Sequence, residues 1–554
     1  MVSRDPLTAI NPRATAQNVP ARADQVANHA GGFVFAVDDL TRLRRFLTLG
    51  VEGGTFYVTE RELTKQNADV VLRLAATDPK LVVDEIVAIS LAGRAPKQNP
   101  ALFALAAVAG LSDAPGRAYA LGHLNQVART GTQLAIFTGY AQQFRGWGRG
   151  LRRAIGDWFT DKTPEALAYQ VLKYRHRDGW TPRDLLRQAH PQAAGPAQAK
   201  LFDYIAHREK AAGSPLAYDL DGLPGLVEAF EEAKTASEAR VIELIGTYPL
   251  SWEMLPQPAL ESPAVWSALI DQGMPITALV RQLPRLTRLG VLTGTRRDDV
   301  AARLSDPAAL VKGRVHPMAM LIALRTYASG RGARGSGQWE PVAKIVDALD
   351  AGFYAAFAAV EPTGRRTLLA LDVSGSMTAP IGGLPLSARE ASAALALVTA
   401  RTEADYEILG FTAQGKSTLL GTHTGTWSGS GISRLPISPR QRLDDVMKHI
   451  AGLPFERTDC ALPMIWASHY RVPIDTFVVY TDNETWAGDV HPYQALRAYR
   501  DRMGLPAKVV VVGMTATGFS IADPGDAGML DVVGFDAATP TVIADFARAE
   551  VQRA

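Results

Sequence analysis

The chain has 554 residues, 47% hydrophobic and 21% charged, with a formal net charge of +2 and a single cysteine, Cys460. That length exceeds one hydrophobic core and implies two to four domains. One thiol excludes an internal disulfide and any cysteine-based zinc cluster, no run approaches the roughly 18 apolar residues of a membrane span, and cytoplasmic residence is expected.

Residues 1–29 are polar, with Pro and Ala but no apolar segment, which predicts a flexible leader rather than a signal peptide. From about residue 38 to 360 the apolar spacing is helical. LTRLRRFLTLG, ADVVLRLAATDPKLVVDEIVAISLAGR, NPALFALAAVAGLSD and MAMLIALRTYASG recur at i, i+3/i+4 between Gly, Pro or Asp breaks. Many consecutive helices with short breaks predict helical pairs stacked as a solenoid over residues 30–364, without a repeat period.

Inside this region FRGWGRGLRRAIGDWF puts Arg145, Arg149, Arg152 and Arg153 at i, i+4, i+7 and i+8. If helical, they form one basic stripe, although three glycines weaken the first turns. LKYRHRDGW then sets Lys173 and Arg177 four apart on one face. Residues 141–190 hold 10 Lys and Arg against 5 Asp and Glu. By composition alone such a run is more often a solvated face than a polyanion site. Tyr174 and Trp180 read as core aromatics.

At about residue 365 the texture changes. RTLLALDV is a nearly continuous apolar run, followed by a helical segment (SAREASAALALVTARTEA) and DYEILGF; later come TFVVYTD, HPYQALRAYRDRM and AKVVVVGM. Alternating buried strands and amphipathic helices predict an α/β, doubly wound parallel sheet over residues 365–554. Residues 1–366 carry 43 Lys and Arg against 36 Asp and Glu, a formal +7, and residues 367–554 carry 15 against 20, a formal −5. A basic first part and an acidic second part suit a polyanion partner and a cation site.

Ligands of such sheets lie beyond the carboxyl ends of the strands, where LALD and VVYTD place Asp372 and Asp482. In D-x-S-x-S, Asp372, Ser374 and Ser376 can turn three oxygens inward on one tight loop. A second loop, ERTDCALPM, offers Thr458 and Asp459. Two carboxylates and several hydroxyls suit a hard cation, Mg²⁺ or else Mn²⁺, that keeps an open position for an outside carboxylate. Taken alone, D-x-S-x-S is as often a capped turn. Ser374 and Ser376 are poor candidates for a nucleophile, because Val373 and Met377 stand where the nucleophile elbow has glycines. GFTAQGKS matches a P-loop letter for letter, with Gly410, Gly415, Lys416 and Ser417. A Gly/Thr/Ser-rich stretch follows instead of a helix, so the segment reads as a hairpin. No catalytic residue is assigned.

AGGFVFAVDDLTRLRRFLTLGVEGGTFYV, LKYRHRDGWTPRDLLRQAH, VEPTGRRTLLALDVSGSM, TDCALPMIWA, TDNETWAGDVHP and GFSIADPGDAGMLDVVGFD resemble the Ro autoantigen family, a TROVE module followed by a von Willebrand factor A domain. The resemblance implies a HEAT-like helical ring closed by an A domain whose metal-ion-dependent adhesion site is formed by Asp372, Ser374, Ser376, Thr458 and Asp482. It implies a noncatalytic, monomeric protein that binds small noncoding Y RNA on the outer face of the ring. Lys173, Arg177 and His190 fall at the family's Y RNA contacts. The cavity is expected to take single-stranded 3′ ends of misfolded RNA, and polynucleotide phosphorylase is an expected partner. Arg42, Arg44, Arg45, Lys312, Arg314 and His316 are further basic candidates in the ring. The competing expectation is a metal-dependent, adhesion-type protein-interaction module with the ring as scaffold. In the loop before Thr458, Glu456 and Arg457 replace the family's two glycines, and these extra side chains could change the metal geometry or supply an internal ligand.

Overall fold

The computed structural model describes residues 14–50, 60–95, 97–211, 219–313, 315–332, 337–357, 362–381, 386–412, 431–435, 437–451, 457–533 and 539–549. The described residues between 39 and 355 are helical in texture, as the spacing predicts. Helix ends follow local chemistry: Thr163 caps Pro164–Lys173, and Thr181 with Asp184 forms a capping box on Pro182–Ala189. A proline opens each of these two helices, where its missing N–H costs nothing. Successive helices pack against their neighbours in sequence. The array also returns on itself, since the His316 ring meets the carbonyl oxygen of Arg94 at 3.0 Å.

The second part is a six-stranded sheet. Its strands are β3 (Thr367–Asp372), β4 (Tyr406–Phe411), β5 (Ile432–Arg434), β6 (Thr476–Thr481), β7 (Lys508–Gly513) and β9 (Met529–Val533), in the order β5-β4-β3-β6-β7-β9. All pairs are parallel except β4 with β5. Alternate residues feed two apolar clusters. Leu369, Leu371, Val478 and Val510 face one side, and Leu368, Ala370, Val479 and Val511 the other. Burial on both faces is why these strands read as unbroken apolar runs. The first cluster continues without a break into the helical array, so the two parts share a core.

From β3 the chain first builds outward to β4 and β5, then crosses to β6 on the other side. This reversal opens a crevice at the carboxyl ends of β3 and β6, the place where doubly wound sheets bind ligands. Gly410 lies within β4, and the chain returns antiparallel as β5; Gly415, Lys416 and Ser417 lie outside the described residues.

The leader expected over residues 1–29 is corrected from residue 14 onward. β1 (Gln25–Ala27) and β2 (Phe33–Ala36) form an antiparallel sheet with β8 (Phe519–Ser520), fastening this segment to the α/β part. Gln17 is fully buried and donates through Nε2 to Asp459 Oδ1 at 2.7 Å and to the Val490 carbonyl at 2.8 Å. Polar residues look like a leader in sequence, but here their hydrogen bonds are made to a distant loop.

Candidate metal centre and nucleic-acid interface

Asp372 ends β3, and the turn that follows is a single 3-10 turn, Gly375–Thr378. The Ser374 amide donates to Asp372 Oδ1 at 2.9 Å, closing the loop, and the Ser374 and Ser376 hydroxyls are 3.0 Å apart. Thr481, the last residue of β6, donates its hydroxyl to Asp372 Oδ2 at 2.7 Å and so ties the two strand ends together. Asp482 follows, and its Oδ1 accepts the Glu484 amide at 3.0 Å. The third loop arrives by backbone pairing: the Asp459 amide donates to Thr412 at the end of β4, and the Trp486 and Ala487 amides donate to the Thr458 carbonyl. All five predicted ligand residues are therefore brought to one crevice, each no more than 1% exposed.

The electrostatics of this crevice are unbalanced. Burial pushes the Asp372 carboxyl above its ordinary range, and burial followed by the charge of Asp372 pushes Asp482 well above it. Two oxygens on these loops, Thr458 Oγ1 and Asp482 Oδ2, are buried without a hydrogen-bond partner among the described residues. Orphaned polar atoms normally have a partner, whether protein, water or ion. Hydroxyls with two carboxylates form a hard-cation donor set, and the residues fit a divalent ion of that kind. Among the described residues no three His, Cys, Asp or Glu side chains converge on a metal-sized point.

Sequence reading missed Arg389. It is 2% exposed on the helix Ala388–Thr402, and it donates to the Ser374 carbonyl at 2.9 Å while facing Asp372 electrostatically. The signal was an arginine inside an otherwise Ala-rich apolar helix, SAREASAALALV. Arg457 supplies no ligand: its guanidinium lies over the Trp486 ring, 5.2 Å from the centroid. Glu456 lies outside the described residues.

The basic candidates divide differently from the one stripe expected. One helix ends at Arg145, Gly146 takes φ +74°, and a new helix, Arg149–Thr160, begins after Gly148. A residue with positive φ cannot continue a helix, so Arg145 is separated from the others. Arg149, Arg152 and Arg153 do share the exposed side of the second helix, opposite buried Leu151, Ile155 and Trp158. Among the described residues Arg149 and Arg152 carry no ion pair, while Arg153 reaches Asp157 at 3.8 Å with its side chain 86% exposed.

Lys173 and Arg177 do not share a helix face either. The helix stops at Lys173, and Arg177 pairs with Trp180 across a hairpin whose turn residues Asp178 and Gly179 both have positive φ. Asp-Gly is the sequence that such a turn favours. The two cations still meet around one ring: Lys173 Nζ is 5.6 Å and the Arg177 guanidinium 5.8 Å from the centroid of Tyr174. His190 is exposed and left-handed, capping the helix Pro182–Ala189. Its neighbour Pro191 abuts Gly156 on the arginine-bearing helix.

Of the remaining basic candidates, Arg45 and His316 are buried and structural. Arg44 pairs with Glu85 at 2.6 Å, Lys312 is exposed, and Arg314 lies outside the described residues. Trp180 packs against the main apolar cluster and meets Trp147 edge-on, in keeping with its reading as a core aromatic.

Comparisons with known proteins follow the same division. A family model described as the TROVE domain matches residues 26–219 and 244–326, and one described as the Ro60 vWA domain matches residues 366–547. The RNA-binding protein RO60 of Deinococcus radiodurans is 42% identical over 552 residues, covering 98% of this chain and 99% of its own length. The RNA-binding protein RO60 of Caenorhabditis elegans is 36% identical over 599 residues, covering 95% and 90%. The crystal structure of the Deinococcus radiodurans RO (RSR) protein aligns with a TM-score of 0.67 at 41% identity, over 93% of this chain and 100% of that one.

Proposed function

Because the chain belongs to the Ro family, a TROVE domain joined to a Ro60-type vWA domain, we propose that it is a noncatalytic RNA-binding component of a ribonucleoprotein. The observation that carries this reading is the exposed row of Arg149, Arg152 and Arg153, two of them without an ion pair among the described residues, together with the basic cluster of Lys173, Arg177 and His190. Cations left unneutralised on a rigid helix suit the phosphates of a folded RNA, and such contacts position a duplex without reading its sequence. In this reading a small Y-type noncoding RNA lies on the outer face of the helical array. Single-stranded 3′ ends of misfolded RNA enter the cavity, and an exoribonuclease such as polynucleotide phosphorylase is recruited for quality control or decay. The protein acts in the cytoplasm as a monomer.

In the A domain, Asp372, Ser374, Ser376, Thr458 and Asp482 would hold Mg²⁺ or Mn²⁺, and the bound ion would supply an electrophilic centre for a partner's carboxylate. The chain's own residues do the positioning: Thr481 and the Ser374 amide fix Asp372, and Arg389 holds the Ser374 carbonyl.

Gel shifts with a structured small RNA test the RNA assignment. Binding should fall steeply between low and physiological salt, and alanine at Lys173, Arg177 and His190 together should weaken it at least tenfold and flatten the salt slope. Undiminished binding by this triple variant would sink the proposed interface.

A further inference from the structure

The helix Arg149–Thr160 begins at a cavity of about 320 Å³, within the roughly 300–1,000 Å³ that ligand sites occupy. Three arginines from three elements line it: Arg117 of the helix Ala114–Gly122, Arg145 in the last turn of Gly131–Arg145, and Arg149. No Asp or Glu lines the cavity, and among the described residues none of the three arginines makes an ion pair. Two of them are anchored on the carboxyl end of the helix Asn99–Leu111. Arg117 donates through Nε to the Ala109 carbonyl at 3.1 Å and through Nη2 to the Ser112 carbonyl at 2.9 Å. Arg145 donates through Nη1 to the Gly110 carbonyl at 3.4 Å. A cation at a helix C-terminus is ordinarily only a cap. A guanidinium carries five N–H donors, however, so both keep donors beyond these backbone bonds. Gly146, Gly148 and Gly150 also line the cavity. Gly146 is required by its φ of +74°, but Gly148 is extended, and a Cβ there would meet nothing within 4 Å. Neither backbone nor packing demands glycine at this N-cap, and no side chain caps the helix. Ser, Thr, Asp or Asn would ordinarily stand there and bond the first amides, which glycine leaves open to an anion.

Resting on the RNA-binding reading above, we propose that this cavity seats a terminal phosphate of the bound RNA, where the row of Arg149, Arg152 and Arg153 begins. A terminal phosphate presents three non-bridging oxygens and has one attachment to the chain. An internal phosphate presents two, and its strand must both enter and leave. Three guanidiniums reaching one concavity from three elements match the first, while the exposed row suits phosphates in mid-strand. The same chemistry occurs at a 5′ end, at a 3′ end and in free oligophosphates, and the experiment separates these sources.

The test uses the full chain and one internally labelled small structured RNA carrying a 5′-phosphate, a 3′-phosphate or hydroxyls at both ends, with affinity read by anisotropy at low salt. One phosphorylated form should bind about tenfold tighter than the hydroxyl form, and which one it is names the strand end. Gly148→Asp supplies a favourable N-cap and sets a carboxylate against the phosphate. It should therefore hold or raise the melting temperature while bringing the affinities of the phosphorylated and hydroxyl forms together. Arg117→Gln should cut the preference severalfold. Equal wild-type affinity for the three forms, equal gains from both phosphates, or a preference that survives Gly148→Asp would overturn the terminal-phosphate site and leave the exposed arginine row standing. Equal affinities with inorganic pyrophosphate stabilising wild type but not Gly148→Asp would overturn it in favour of a free anion. No binding of any form at low salt would overturn the RNA reading as well. The wild-type series decides the matter even if a variant fails to fold.

Discussion

Asp372 and Asp482 are two carboxylates at 0% and 1% exposure, each pushed toward its neutral form by burial and Asp482 further by its neighbour. Such a pair is destabilising unless a cation or a proton balances it. Asp372→Ala should therefore abolish the rise in melting temperature produced by Mg²⁺ in wild type, read by thermal-shift titration; an undiminished rise would count against the site. Arg457→Gly should leave the apparent Mg²⁺ affinity within about twofold, because Arg457 packs on Trp486 while Thr458 Oγ1 has no partner among the described residues. Asp372, Ser374, Ser376 and Asp482 were legible in the sequence because each lies at or just past the end of an apolar run. Thr481 and Arg389 were not, since what makes them part of the crevice is a hydrogen bond across 109 residues in one case and a buried contact from a helix in the other.

At the scale of elements, periodicity gave the faces of the helices but not their ends. The arginines at 145 and 149 look continuous in helical spacing, and only the positive φ of Gly146 separates them. Past the end of the helix Arg149–Thr160, Lys162 folds back over the Trp158 ring, 3.6 Å from its centroid, and donates to the Trp158 carbonyl at 2.6 Å. Burial there lowers its pKa from 10.5 to about 8. A folded-state pKa below the unfolded one means that the unfolded chain binds the proton more tightly between those values. The penalty is thus fully present below about pH 8, and stability rises as pH climbs toward 10.5. Lys162→Met should stabilise the protein near neutral pH by about 1–3 kcal/mol, with the gain shrinking above about pH 8. Melting temperatures of both proteins across that interval check it; a pH-independent difference would point to packing instead of protonation.

For the whole molecule, the change of texture near residue 365 separated two architectures but concealed how tightly they are joined. The fastening is made at both ends of the helical array. Near its start Arg45, with a fully buried side chain, donates to the Thr517 carbonyl, to the Phe519 carbonyl at 2.8 Å, and to both oxygens of Asp531 at 2.7 Å. Near its end Arg325 pairs with Glu390, and Asp347 with Arg442. In sequence Arg45 is one of three arginines in LTRLRRF, and nothing local distinguishes the buried one. Removing one partner of a buried, multiply bonded charge leaves the other uncompensated, at a cost of about 3–5 kcal/mol. The acceptors here all belong to the A domain, whereas the shared apolar cluster spans both parts. Arg45→Met keeps the aliphatic stem and removes the guanidinium, so its cost should fall mainly on the junction. Calorimetry of the full chain should show wild type unfolding in one transition and Arg45→Met in two, with the lower one shifted down by several degrees. A single transition at an unchanged temperature would mean that the apolar cluster alone couples the two parts.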